Sequence, residues 1–180
     1  TIFVDGISKS FAATGVRVGW SFGPQRIINK MKSILSHVGA WAPKAEQVAC
    51  SNYLVQDDNV DTFLDGFRAS ISNRLVAFYR GFKLLKEEGF KVDVIAPQAA
   101  IYLTVQFNLN GMVKPDGAKL DSTEKITQYL LNDARIALVP FYAFGASANS
   151  DWYRLSVGTA SMKDVDGFFV NLRKALESLK

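Results

Sequence analysis

The stretch SKSFAATGVRVGW, residues 8–20, carries most of the chemical information in this chain. It holds a lysine, Lys9, among small residues and an arginine, Arg17, between Gly15 and Gly19. A lysine amine can react with an aldehyde, and a guanidinium can bind a phosphate through parallel hydrogen bonds. The stretch therefore predicts a site for a ligand that carries both an aldehyde and a phosphate.

Three later stretches extend this pattern along the chain. They are PQAAIYL at residues 97–103, VPFYAFG at 139–145 and YRLSVG at 153–158. Taken alone, a serine–lysine pair or a Gly-x-Arg-x-Gly pattern is ordinary surface or strand sequence. The occurrence of all four stretches in one order, across nearly the whole chain, argues against coincidence.

Together the four stretches resemble the class I and II aminotransferases, which are pyridoxal-phosphate (PLP) enzymes of fold type I. The resemblance implies an α/β fold, made of the α+β C-terminal small domain of such an enzyme with a remnant of its large domain. The family's reactive lysine lies well past the middle of the chain, whereas here it is residue 9. The chain is therefore expected to be the C-terminal part of an aminotransferase, without the N-terminal residues that complete the PLP site.

The resemblance assigns four residues to the site. Lys9 is the catalytic residue, which binds the cofactor as a Schiff base and shuttles a proton. Ser8 and Arg17 bind the cofactor phosphate, and Arg154 binds the substrate α-carboxylate. The family often has a second serine where this chain has Gly6, so one phosphate contact is either lost or replaced by a backbone N–H.

The substrate side of the site departs from the family pattern. Ala99 and Phe141 stand where the family usually has glycine, which predicts a reshaped and more apolar loop. Where relatives specific for dicarboxylates place an arginine, this chain has Trp41. Trp41 suits either an apolar substrate side chain or a packing role. The amino acid specificity therefore stays open.

Composition excludes several other classes of protein. The net charge of +4 comes from 21 Lys and Arg scattered among 17 acids, with no basic run that predicts nucleic-acid binding. One cysteine and one histidine allow no intrachain disulfide and predict no metal site. No apolar run approaches the length of a membrane span, and no signal peptide opens the chain. We expect a cytoplasmic protein with amino acid and 2-oxo acid substrates, homodimeric in its full-length form.

Apolar spacing predicts the elements of the first part of the chain. A strand at residues 2–5 leads into a loop that holds Lys9, and a strand at residues 16–22 holds Arg17. Apolar residues then recur at helical spacing over residues 25–38. The next predicted elements are a helix at 44–55, a cap and bend at 57–59 and a long helix that ends at Gly89.

The long helix carries an apolar face that predicts the centre of the core. Its members recur every three or four residues. They are Phe63, Phe67, Ile71, Leu75, Phe78, Phe82 and Leu85. With the resemblance, this helix predicts a domain boundary: residues 1–58 belong to the large PLP-binding domain, and residues 59–180 form the small domain that begins with the long interdomain helix.

The rest of the chain has an α+β pattern. A helix is predicted at residues 122–134, where Asp121 and Glu124 have capping-box spacing. A closing helix follows Ser161, with Asp164 three residues on. The predicted strands are 92–95, 100–107, 136–139 and 152–157.

The predicted function is therefore a PLP-dependent aminotransferase that transfers an amino group between an amino acid and a 2-oxo acid. The 180-residue chain alone is expected to be inactive. Two alternatives remain open. One is an effector-binding, aminotransferase-like domain of a transcriptional regulator, which a preceding winged helix-turn-helix would reveal. The other is a non-catalytic folding unit, which a titration with PLP would distinguish.

Overall fold

The computed structural model describes residues 1–180 and divides them into two compact units, Thr1–Ala69 and Ser70–Lys180. The division falls inside the long helix, whereas the sequence analysis placed a domain boundary at residue 58, near the first turn of that helix. The assignment of residues 1–58 and 59–180 to two domains of a larger enzyme stays a prediction. No helix in either unit is both long enough and apolar enough to span a membrane.

The first unit is mostly helical, with one antiparallel pair of strands. The helix predicted after Gln25 is present and ends at Gly39, which adopts a left-handed φ of 69° that glycine tolerates without strain. This amphipathic helix buries none of its side chains within the unit. The elements of the first unit are β1 (Phe3–Gly6), α1 (Ile7–Ser10), β2 (Gly19–Phe22), α2 (Gln25–Val38), α3 (Lys44–Leu54) and the beginning of α4 (Asp57–Glu87).

Three local predictions in this unit are wrong. Lys9 lies in the one-turn helix α1 and not in a loop. Arg17 precedes β2 and is not part of the strand, because its left-handed backbone, with φ of 60°, cannot continue a strand ladder. The acidic residues at 57–58 form the first turn of α4 and not a bend, where their charge is favourable at the positive end of the helix dipole.

The second unit is a four-stranded antiparallel sheet with helices packed against it. The strand order is β3-β4-β6-β5, and β4 pairs with β6 over five residues from Tyr102 to Gln106. Its elements are the rest of α4, β3 (Val92–Val94), β4 (Tyr102–Phe107), α5 (Thr123–Asn132), β5 (Val139–Pro140), β6 (Trp152–Ser156) and α6 (Met162–Ser178).

The core of the second unit lies between one face of this sheet and the helices. Along β4, buried and half-buried side chains alternate, as expected for a sheet that packs one face against a core. Phe82 of α4 is fully buried and contacts Phe107 of β4 edge to face, with ring centroids 5.9 Å apart. Phe82 also contacts Phe169 of α6 at 5.4 Å. The aromatic stripe predicted on the long helix is therefore core packing from Ile71 onward.

The helix caps of this unit agree with the sequence at α6 but not at α5. The Ser161 N–H donates to Asp164 Oδ2 at 2.6 Å, which confirms the predicted capping box. At α5 the N-cap is Ser122, whose hydroxyl accepts from the Lys125 N–H at 3.2 Å. Asp121 instead forms an ion pair with the Lys125 side chain. The cap therefore lies one residue later than predicted, and the serine hydroxyl satisfies one of the free N–H groups of the first turn.

Candidate cofactor and carboxylate sites

The strand pair β1–β2 positions the lysine segment beside the arginine segment. Gly6 pairs with Gly19, and the Ile7 N–H continues the ladder by donating to the Val18 carbonyl at 3.2 Å. A Cβ atom at Gly19 would lie 3.0 Å from the Asp5 carbonyl, so the close approach of the strands depends on glycine. The segment that leads to Lys9 therefore starts beside the two residues that directly follow Arg17.

A small apolar cluster anchors this segment. Ile7 and Val18 are buried together with Cys50 of α3, and Phe11 and Trp20 pack against them. The Phe11 ring also contacts the rings of Tyr53 and Phe63, each at 5.9 Å between centroids. The residues on either side of Lys9 are therefore fixed by the body of the first unit.

The side chains assigned to the cofactor are available for an anionic ligand. Lys9 and Arg17 are exposed, and Ser8 is half-buried. None of the ion pairs in the chain includes Lys9 or Arg17. The Arg17 Nη1 donates to the Thr14 carbonyl at 2.9 Å, which fixes the guanidinium without neutralising it. An amine, a hydroxyl and an uncompensated guanidinium thus lie on one short segment.

The backbone of Arg17 is itself strained. Its φ of 60° and ψ of 36° place a residue with a side chain in the left-handed region, at a cost of roughly 1–2 kcal/mol. Glycine would avoid this cost. Ala12, Ala100 and Arg135 also have a positive φ, so the strain alone assigns no role to the Arg17 side chain.

Gly6 does not offer a replacement phosphate contact. Its N–H donates to Asp5 Oδ1 at 2.7 Å and is therefore already engaged by a carboxylate. A Cβ at this position would lie 3.2 Å from both Gly19 Cα and the Val18 carbonyl. Of the two outcomes left open by the sequence, the geometry favours the loss of one contact.

Arg154 lies in the second unit, in the middle of β6. It pairs with Thr104 of β4 on one side and with Val139 of β5 on the other. Its guanidinium carbon lies 4.5 Å from the ring centroid of Tyr102 and 4.5 Å from that of Phe144. None of the ion pairs in the chain includes it, and its buried Nε has no hydrogen-bond partner. Arg154 therefore carries a positive charge that no carboxylate of this chain offsets.

Comparison with known proteins decides the family. The family described as Aminotransferase class I and II matches residues 1–169. The chain belongs to this family. Its aminotransferase relatives include the aspartate aminotransferase of Rhizobium meliloti strain 1021, which is 28% identical over 99% of this chain and 40% of the relative. A bifunctional aspartate aminotransferase and glutamate/aspartate-prephenate aminotransferase of Petunia hybrida is 30% identical over 100% of this chain and 36% of the relative.

Solved aminotransferase structures confirm the predicted fold class. The aspartate aminotransferase from Rhizobium meliloti superposes with a TM-score of 0.83 at 26% identity, over 100% of this chain and 42% of that one. The aromatic aminotransferase from Pyrococcus horikoshii gives a TM-score of 0.79 at 25% identity, over 98% and 43%. This aminotransferase chain thus spans about 40% of the length of the first relative, and it corresponds to the C-terminal part.

One buried arginine escaped the sequence analysis. Arg74 of α4 is 9% exposed and donates to the carbonyls of Val157 at 2.9 Å and Ala160 at 2.8 Å, without a carboxylate partner. It therefore ties the segment that follows β6, and with it the end of the strand that carries Arg154, to α4. The available signal was a single charged residue on the apolar stripe, between Ile71 and Phe78.

The structure places two of the residues that depart from the family pattern on the substrate side. Trp41 is 52% exposed, so it does not serve as a packing residue within its own unit. Phe141 begins a 3₁₀ turn over Phe141–Phe144 and is half-buried.

Neither unit holds a group of three or more His, Cys, Asp or Glu side chains suited to a metal ion.

Proposed function

We propose that this chain is the C-terminal part of a PLP-dependent aminotransferase that transfers an amino group between an amino acid and a 2-oxo acid, and that it is inactive alone. Membership of the aminotransferase family supports the reaction class. The observation that carries the proposal is Arg154, a guanidinium held between two rings without a carboxylate partner. Such an arginine is suited to bind a carboxylate supplied by a substrate.

We also infer the setting of the full-length protein. A lone cysteine, Cys50, buried and unpaired, suits a reducing compartment such as the cytoplasm. A homodimer is inferred from the family resemblance alone.

Enzymes of this family use pyridoxal 5′-phosphate, and the residues of the first unit fit this cofactor. When bound, it supplies an electron-withdrawing ring that stabilises negative charge at the substrate α-carbon. Arg17 is free of carboxylates and would bind the phosphate dianion, and the Ser8 hydroxyl would donate a further hydrogen bond. The exposed amine of Lys9 would bind the aldehyde carbon.

Two side chains of this chain would then act on the substrate. The amine of Lys9, once free of the cofactor, would accept the proton from the substrate α-carbon and would deliver it to the C4′ carbon of the cofactor. Arg154 holds the α-carboxylate by two parallel hydrogen bonds, which fixes the direction of the Cα–H bond. This proposal assigns no residue to the substrate side chain.

Reductive labelling tests the cofactor assignment. Borohydride treatment of the PLP-loaded full-length protein, followed by peptide mapping, should place the cofactor on Lys9. Lys30, Lys32 and Lys163 serve as internal controls and should stay unlabelled. A label on any of these three lysines in place of Lys9 would show that the cofactor assignment is wrong.

Substitution of the second arginine tests the substrate assignment. Arg154→Lys in the full-length protein should lower kcat/KM for amino acids by about 10- to 100-fold, because lysine cannot provide the planar fork. PLP affinity should not change, since Arg154 is assigned no cofactor contact. An unchanged kcat/KM would remove Arg154 from the substrate site.

A further inference from the structure

The geometry points to Tyr102 and Phe144 as positioning residues that clamp the guanidinium plane of Arg154 and direct its terminal edge to the substrate carboxylate. This inference rests on the proposed role of Arg154. It goes further by assigning a function to two aromatic residues and by naming which nitrogens meet the carboxylate.

Strand register fixes the first ring. Thr104 lies directly opposite Arg154, and Tyr102 lies opposite Ser156. Tyr102 is therefore the diagonal neighbour of Arg154 on the same face of the sheet, within reach of a long side chain. The other face of β4 carries the buried Leu103. The Tyr102 ring thus occupies a position set by the backbone, and its contact with the guanidinium at 4.5 Å follows from it.

A compact turn supplies the second ring. The 3₁₀ turn Phe141–Phe144 is closed by Gly145, whose φ is 89° and whose N–H donates to the Tyr142 carbonyl at 3.1 Å. The Ala146 N–H donates to the Phe141 carbonyl at 3.2 Å. Phe144 is 55% exposed even though it is a large apolar residue. Its contact with the guanidinium, also at 4.5 Å, gives a reason for this exposed ring.

The hydrogen-bonding state of Arg154 shows which edge is free. Its Nε is buried and has no partner, which is costly for a charged group unless other interactions compensate. Aromatic faces attract guanidinium groups electrostatically, and two rings provide that compensation. The terminal nitrogens Nη1 and Nη2 donate to no group in the chain and, unlike Nε, stay open to solvent. A carboxylate can therefore form its paired hydrogen bonds only with Nη1 and Nη2.

Kinetics of the full-length, PLP-loaded protein test the clamp. Tyr102→Leu and Phe144→Leu should each raise KM for L-aspartate about fivefold, because each removes one cation–π contact. The value of kcat should change by less than about twofold, because the remaining ring still holds the guanidinium in the position that directs the Cα–H bond. Phe144→Tyr, which keeps an aromatic ring at this position, should have the KM of the unmodified protein. Tyr142→Leu, a matched control in the same turn without a ring contact to Arg154, should leave KM unchanged.

A double-mutant cycle separates this inference from the proposed function. In an Arg154→Lys background, Phe144→Leu should raise KM by much less than about fivefold, because lysine has no planar guanidinium for the ring to hold. If Arg154→Lys impairs the enzyme and the two ring variants do not, the clamp is wrong and the proposed function stands. If Arg154→Lys has no effect either, both are wrong.

Nuclear magnetic resonance of the 180-residue chain provides a readout independent of activity. The Nε–H proton of Arg154 should resonate far from its random-coil position because two ring currents act on it. Phe144→Leu should move this resonance back toward random coil, and Tyr142→Leu should not. A resonance at the random-coil position in the unmodified chain would overturn the clamp.

Discussion

Residues 1–69 and residues 70–180 bury their apolar side chains to very different degrees. The first unit buries only three, Ile7, Val18 and Cys50, and leaves residues such as Phe22 and Val38 exposed at 60% and 71%. The second unit holds all the other buried apolar residues. Exposed apolar surface of this kind is typical of a face that contacts another molecule. The residues assigned to the cofactor therefore lie on the unit with the smaller apolar core, and Arg154 lies on the unit with the larger one.

Hydrogen exchange of the 180-residue chain is the strongest test of this difference in burial between the two units. Amides of β4, β6 and α6 should exchange on the order of a thousandfold more slowly than those of α2, because their opening requires loss of the whole core of the second unit. Mass spectrometry of peptides from each element measures the ratio. Comparable protection of α2 and β4 would contradict the account.

Truncation of one large side chain in each unit tests the same difference through the free energy of unfolding. Phe82→Ala should reduce the free energy of unfolding by about 3–5 kcal/mol, since the ring is fully buried among aromatic neighbours. Phe22→Ala, at an exposed position of the first unit where the ring stacks only on Phe3, should reduce it by no more than about 1.5 kcal/mol. Denaturant titration of both variants decides the matter. Equal losses would mean that the first unit has a core of its own.

Glycine substitutions test how tightly the second unit is packed. A Cβ at Gly81 would overlap the Phe169 ring, so Gly81→Ala should destabilise the chain by about 1–3 kcal/mol. Gly167 of α6 faces open space, and Gly167→Ala should stabilise by roughly 0.5–1 kcal/mol. Thermal melts followed by circular dichroism give both values. A tolerated Gly81→Ala would indicate that α4 and α6 are packed loosely.

The smallest expected effect is a pH dependence in the second unit. The Ser161 backbone N–H holds the pKa of Asp164 below its ordinary value of 3.8. A lowered folded pKa means that the carboxylate stabilises the fold above the ordinary value, and that this stability is lost as pH falls through the folded pKa. Asp164→Asn should therefore be slightly destabilising at neutral pH and neutral in strong acid. Asp166→Asn is the control on the same helix, and an equal pH profile for both variants would remove the role of the cap.

Much of this fold follows from local sequence patterns. The limits of α2 and the start of α6 are predictable because each depends on signals close in sequence: apolar spacing that ends at Gly39 for α2, and the Ser161–Asp164 pair for α6. The conformation of Arg17 is not predictable, because a left-handed arginine opposes local preference. The Tyr102–Arg154–Phe144 clamp depends on strand register and on a turn, which are non-local. The family resemblance predicts a substrate role for Arg154, and only the structure shows that two rings contact its guanidinium.

The most direct test of the account is a transamination assay that compares the purified 180-residue chain with the full-length protein. Each would be given pyridoxal phosphate, 2-oxoglutarate and, in separate reactions, each of the common amino acids. We expect turnover by the full-length protein, and we expect Lys9→Ala to abolish it. We expect no turnover by the 180-residue chain above that of free pyridoxal phosphate, because the proposed function assigns the rest of the PLP site to residues outside these 180. Turnover by the 180-residue chain at a rate close to that of the full-length protein would contradict the account.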